Sequence, residues 1–127
     1  MSTDEKRIAV ERFLAALASD GDLRVLDELC TPEVAQNWQQ AMAAFAFSDR
    51  TFTVDKTVVE GDQAAALWSN TGTHTGVYAG IPPTGRRTVG HGSAFFTFAE
   101  GRISAVVSYF DAEALLEALG ATVQPGR

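Results

Sequence analysis

Apolar residues recur at helical spacing through the first third of the chain and at strand spacing through most of the rest. Ile8, Val10, Phe13, Leu14 and Leu17 are read as one helix face, and Ser19-Asp20-Gly21 ends that run. Asp22 is placed to cap a second, short helix that turns Leu23, Leu26 and Leu29 inward. Thr31-Pro32 supplies a cap followed by a proline in the first turn, where its missing N–H costs nothing. The helix it opens carries Val34, Trp38, Met42 and Phe45 on one side.

After residue 50 the period falls to two. Residues 51–59 alternate, with Phe52, Val54 and Val58 as the apolar set, and stop at the turn signal Glu60-Gly61-Asp62. A second strand over 64–75 sets Ala64, Ala66 and Trp68 on one face and Leu67 on the other. A Gly/Pro-rich connection leads to Arg86-Arg87 and a third strand, 87–98, closed by Ala99-Glu100-Gly101-Arg102. The fourth strand, 103–110, is rich in valine and aromatics. Asp111 caps a last helix over 112–119, Gly120 terminates it, and 121–127 reads as a frayed tail. Helices first and an antiparallel meander second predict one α+β domain over 1–127. A twisted sheet of this kind curls around the helices and leaves a hollow between the layers.

Composition supports a folded domain: 46% of the 127 residues are hydrophobic and 20% charged. The net charge of −6 provides no basic stripe to neutralise phosphates, which argues against a nucleic-acid partner. The single cysteine, Cys30, excludes an intramolecular disulfide and a cysteine-rich zinc site; ending an apolar helical run, it reads as a small buried hydrophobe. MSTDEKR is not followed by the apolar run of a signal peptide, and no segment approaches the roughly 20 apolar residues that span a bilayer. A cytoplasmic protein without membrane partners is the expectation.

The stretch WSNTGTHTGVYAGIPPTGRR, residues 68–87, invites a phosphate or metal reading, and counting removes both. Two prolines delete N–H groups that a phosphate nest needs, and no GK[ST] follows. His74 and His91 lack the spaced partners of a zinc site, so neither metal nor cofactor is expected. HGSAF is not the GxSxG elbow of a serine hydrolase. Acid–base chemistry remains. Asp111 follows Tyr109 and Phe110 where a strand ends, and a carboxylate among aromatics is a stronger base than one in water. The same aspartate is also a good helix cap, and both roles stay open. His91 and His74 sit at strand ends, where each either orients a carbonyl oxygen or serves a turn. Trp38, Phe45, Trp68, Phe95 and Tyr109 either line a cavity for a flat apolar ligand or form ordinary core.

Four segments carry a resemblance: VERFLAALASDGDLRVLDEL, GTHTGVYAGIPPTGRR, GSAFFTFAEGRI and SYFDAEALLEALG. Together they resemble the SnoaL-like polyketide cyclases of the nuclear transport factor two-like superfamily. The resemblance implies a cone-shaped α+β barrel around a deep apolar pocket, often as a homodimer. It also implies a cofactor-free aldol-type ring closure of a polyketide-like substrate, with Asp111 in the position of the family's acid/base. His91 or His74, with Asn37 and Tyr109, would then orient the carbonyl or stabilise the enolate. The sequence departs from the family where Val106-Val107 replace the usual polar and tryptophan pair, and where Asn37 is the nearest substitute for a missing histidine. The valine pair favours the alternative of a hydrophobic-ligand carrier without catalysis. An epoxide hydrolase is disfavoured, because Ser108 stands where those enzymes have an aspartate before the tyrosine.

Overall fold

A computed structural model describes residues 1–121. Three helices come first: α1 Thr3–Leu17, α2 Val25–Leu29 and α3 Pro32–Ala43. Four strands follow, β1 Phe47–Glu60, β2 Gln63–His74, β3 Arg87–Ala99 and β4 Arg102–Phe110, and α4 Ala112–Ala118 closes the order. The strands pair as an antiparallel meander in the order β1-β2-β3-β4, as the α+β reading requires. The sheet is curved and holds the helices on its concave side. The expected fray over 121–127 falls, Ala121 aside, outside the described residues.

The helices form for local reasons. Ser2 and Glu5 make a reciprocal capping box at the start of α1, with each side chain accepting from the other's backbone N–H, at 3.1 and 3.0 Å. The buried face of α1 carries Val10, Phe13, Leu14 and Leu17. Ile8 is 53% exposed, contrary to expectation, because residues two apart on a helix point to different sides and Val10 faces the core. Asp22 does not cap α2 directly. Its carboxylate accepts from Arg24 N–H at 2.9 Å and organises the turn ahead of the helix, whose own N-cap is Arg24. Gly120, at φ 85°, ends α4 in a Schellman motif: Ala121 N–H reaches Leu116 carbonyl at 2.9 Å and Gly120 N–H reaches Glu117 at 2.9 Å.

Irregularities in the sheet produce its curvature. Register shifts interrupt β1 between Ser48 and Thr51 and between Val54 and Lys56, and a third lies at Thr97/Phe98. The second shift inserts Asp55 and exchanges the faces of the rest of the strand. Val58 therefore points outward, 55% exposed, although simple alternation from Phe52 and Val54 turns it inward. The concave face packs on the helices through aromatic edges. Phe13 meets Trp38 and Phe96, each at a centroid distance of 5.3 Å and nearly perpendicular.

Candidate functional site

Between the helices and the concave face lies a cavity of about 360 Å³, large enough for a small organic ligand. Phe13, Leu14 and Leu17 from α1, and Trp38 and Met42 from α3, form its helical wall. Phe47 and Phe52 of β1, Trp68 of β2, Ala94 of β3, and Val106 and Phe110 of β4 form its sheet wall. The room on the sheet side depends on two glycines. A Cβ at Gly90 would meet the Asn70 side-chain oxygen, and one at Gly92 would meet both the Trp68 ring and the Tyr109 carbonyl. With neither Cβ present, Asn70 and Trp68 lie over β3 and shape the cavity floor.

Asp111 stands at the rim, where β4 becomes α4, and lines the cavity while remaining exposed. Its Oδ1 accepts from Ala114 N–H at 3.0 Å, which makes it the N-cap of α4. Its own N–H donates to the His91 carbonyl at 3.2 Å. The cap occupies Oδ1 alone; Oδ2 has no hydrogen bond among the described residues. The two roles left open by the sequence are thus geometrically compatible.

The other sequence-predicted residues divide. Trp38, Phe45 and Trp68 line the cavity. Phe95 and Tyr109 do not: they are 53% and 65% exposed on the convex face, because strand alternation sends them away from Ala94, Phe96, Ser108 and Phe110. Val107 follows them outward, so only Val106 of the valine pair dries the cavity. Asn37 is exposed on α3, one residue from Trp38 and thus on a different side of the helix. His91 pairs with Ser69 across β2 and β3, on the convex face by alternation, so its contribution to the rim is through the main chain.

His74 is fully buried but serves the β2–β3 connection rather than the cavity. Its Nδ1 accepts from Thr84 N–H at 3.1 Å and lies 2.9 Å from the Thr84 hydroxyl. An acceptor Nδ1 puts the ring hydrogen of neutral His74 on Nε2, which has no partner among the described residues. Main-chain bonds His74 N–H to Arg86 and Gly85 N–H to His74, both 2.9 Å, finish the clamp. Arg86 then donates to the Ala118 carbonyl at 3.1 Å, and Arg87 to the Asp49 carbonyl at 2.8 Å. The Gly/Pro stretch is a fastening, and its arginines hold neighbouring elements.

Sequence reasoning missed most of the polar lining, Arg50, Asn70, Thr71, Tyr78, Thr88 and Ser108. Asn70 shares its face with Trp68, two positions earlier, and period-two counting was enough to find it. Its carboxamide has no hydrogen bond among the described residues, and neither does the Tyr78 hydroxyl. Burial pushes the Tyr78 phenol above its ordinary value, so it stays a neutral donor through the physiological range. Arg50 also lines the cavity, positioned by the irregular start of β1 next to Asp49 at φ 48°. No sequence pattern announces that bulge.

Residues 8–119 match the SnoaL-like polyketide cyclase family. The chain belongs to that family. Its structure is similar to TsrD from Streptomyces laurentii, at 27% identity over 96% of this chain and 99% of that one, with a TM-score of 0.79. IdmH from Streptomyces antibioticus, described as a putative polyketide cyclase, is 25% identical over 91% and 98% of the two chains, with a TM-score of 0.76. A SnoaL-like protein from Jannaschia sp. CCS1 shares the fold at a TM-score of 0.82 and 22% identity, over 97% and 98%. No curated protein matches the sequence. The SnoaL-like family and its nuclear transport factor two-like fold support a cyclase- or isomerase-type role.

Proposed function

We propose that this SnoaL-like protein is a cofactor-independent cyclase or isomerase acting on an apolar, carbonyl-bearing molecule, with Asp111 as its acid/base. The observation that carries the reading is the placement of Asp111: a carboxylate on a largely apolar cavity, with one oxygen fixed by the helix cap and the other without a hydrogen bond among the described residues. In an aldol-type closure, Asp111 Oδ2 takes a proton from the carbon beside a carbonyl. The resulting enolate carbon forms a bond to a second carbonyl carbon of the same molecule, and that carbonyl's π pair moves to its oxygen. The proton held by Asp111 returns to that oxygen, so the step is balanced without water or cofactor. The Asn70 carboxamide and Tyr78 hydroxyl are the donors proposed to face the enolate oxygen as charge develops there. The aromatic walls hold the chain folded near its attack geometry, which lowers the entropic part of the barrier.

The test is ring closure of an apolar diketone, followed by product analysis with the wild type and Asp111→Asn. Loss of closure with unchanged diketone affinity supports the reading. Closure at the wild-type rate in Asp111→Asn rejects it. The second reading, a ligand carrier, is favoured by Val106 in place of a polar partner, and predicts binding without closure in both proteins.

The homodimer belongs to this proposal. Val58, Ala65, Phe95 and Val107 are register partners across all four strands on the convex face, and Leu67 and Tyr109 extend the patch. A patch of this kind, presented identically by two copies, suits a two-fold interface.

A further inference from the structure

Arg50 is the one basic residue besides His91 that lines the described cavity, and among the described residues no carboxylate pairs with it. Its Nε donates to the Leu17 carbonyl at 3.1 Å and its Nη1 to the Phe47 carbonyl at 2.9 Å. Its Cζ lies 5.7 Å from the Phe45 ring centroid. Among the described residues the ion pairs are Arg7–Asp4, Arg12–Glu28 and Arg24–Asp22; Arg50 is in none, and its Nη2 donates to no described atom. The Leu17 carbonyl belongs to the last turn of α1, so the guanidinium is held at the negative end of that helix without having its charge cancelled. Burial alone pushes the guanidinium below its ordinary value, and it remains charged.

The sheet register gives Arg50 a place relative to Asp111. Asn70 pairs with Phe52 on one side and Gly90 on the other, while Arg50 enters β1 two residues before Phe52. Asp111 N–H bonds to His91, next to Gly90, at the far side of the sheet. A polar band therefore crosses the floor: Arg50, Asn70, the side-chain-free Gly90, then Asp111. Three strand spacings separate its ends, about 14 Å measured along the curved sheet. Aromatic side chains, Trp38, Phe52 and Trp68 among them, line the rest of the same cavity.

Resting on the proposed function of the same cavity, we infer that the substrate is an apolar molecule ending in a carboxylate, and that Arg50 binds this carboxylate at the end of the cavity opposite Asp111. Anchoring by Nε and Nη1 leaves Nη2 pre-oriented as a charge-assisted donor. A neutral ester or amide of the same skeleton forfeits that bond and leaves the cation unpaired. Asp111, of like charge to the carboxylate, disfavours the reversed orientation, so the pair sets the direction in which the molecule enters.

The experiment uses 2-naphthoate and its methyl ester as probes, titrated against the full chain by quenching of Trp38 and Trp68. A charge-assisted bond in a partly desolvated site predicts that the carboxylate binds at least about tenfold more tightly than the ester, and that the margin narrows in high salt. Arg50→Gln brings the two probes within about twofold, by loss of carboxylate affinity, while Arg50→Lys keeps part of the preference. Because Arg50 also joins β1 to α1, circular dichroism checks that Arg50→Gln is folded; if it is not, the wild-type preference and Arg50→Lys decide the matter. Equal affinity of the wild type for both probes overturns the inference, as does a preference that survives in folded Arg50→Gln. Failure of both probes to bind points to the ligand-binding cavity itself and sinks the parent reading as well. Asp111→Asn, which leaves Arg50 in place, retains the carboxylate preference even where ring closure is lost.

Discussion

At the residue scale, the two oxygens of Asp111 differ: one caps a helix, and the other is the one proposed to move a proton. Oδ1 of Asp111 satisfies Ala114 N–H, and an asparagine preserves that bond through its own carbonyl oxygen. Asp111→Asn should therefore melt close to the wild type, whereas Asp111→Ala loses about 1 kcal/mol of stability in a thermal or urea melt. If both variants unfold identically, the cap has no energetic weight. Asn70→Ala should slow ring closure by roughly tenfold or more with little change in melting temperature, since its carboxamide makes no hydrogen bond among the described residues. Cys30 is a third single-residue case. Its side chain is fully buried beside Ile103, and burial pushes its thiol from 9.0 up to about 11. The unfolded thiol loses its proton first, so the folded form binds more protons between those values. The cysteine's contribution to stability is complete below pH 9.0 and is lost as pH rises toward about 11. Urea melts of wild type and Cys30→Ala across that interval should show the steeper alkaline decline in the wild type; parallel declines would contradict it.

At the scale of elements, the site depends on what β3 leaves out. The Gly90-His91-Gly92 triplet puts two glycines on the concave face and one histidine on the convex face, which opens a slot for Asn70 and Trp68. Gly92→Ala should destabilise by about 1–3 kcal/mol, because the added methyl meets the Trp68 ring and an immovable backbone carbonyl. Gly90→Ala meets only the end of the Asn70 side chain and should fold normally with impaired turnover. Chemical denaturation of the two variants separates these outcomes. The order and type of every element were legible in the sequence, since long periodic runs and turn residues such as Glu100-Gly101, both at positive φ, leave little choice. The facing of individual side chains was less so. A single bulge at Asp55 reverses Val58, and a run of valines and aromatics in β4 gives no polar mark to tell Phe110 from Tyr109. The bulge that presents Arg50 depends on tertiary packing against α1 and has no local signal.

At the scale of the whole molecule, the proposed function and the proposed dimer fall on opposite faces of one sheet. The concave face encloses the proposed chemistry, and the convex face exposes Phe95, Val107 and their neighbours, the patch proposed to meet a second copy. Light scattering should return the mass of two chains for the wild type and of one for Phe95→Glu/Val107→Glu, with α-helical content unchanged; a monomeric wild type would contradict the dimer. Family resemblance made the fold readable, and the place of Asp111 between the last strand and the last helix, from residues that lie near one another in sequence. The common cavity of Arg50, Asn70 and Asp111 was not readable in that way, because only the sheet register places them on one surface. Asp111 is proposed to move a proton at a carbon beside a carbonyl, and deuterium exchange measures that step with no need of the natural substrate. With 2-tetralone in deuterated buffer followed by NMR, exchange should run well above the buffer rate with the wild type and fall by at least about a hundredfold in Asp111→Asn while the ketone still binds. Exchange that proceeds equally in both proteins, or no faster than buffer in a wild type with ketone bound, would contradict it.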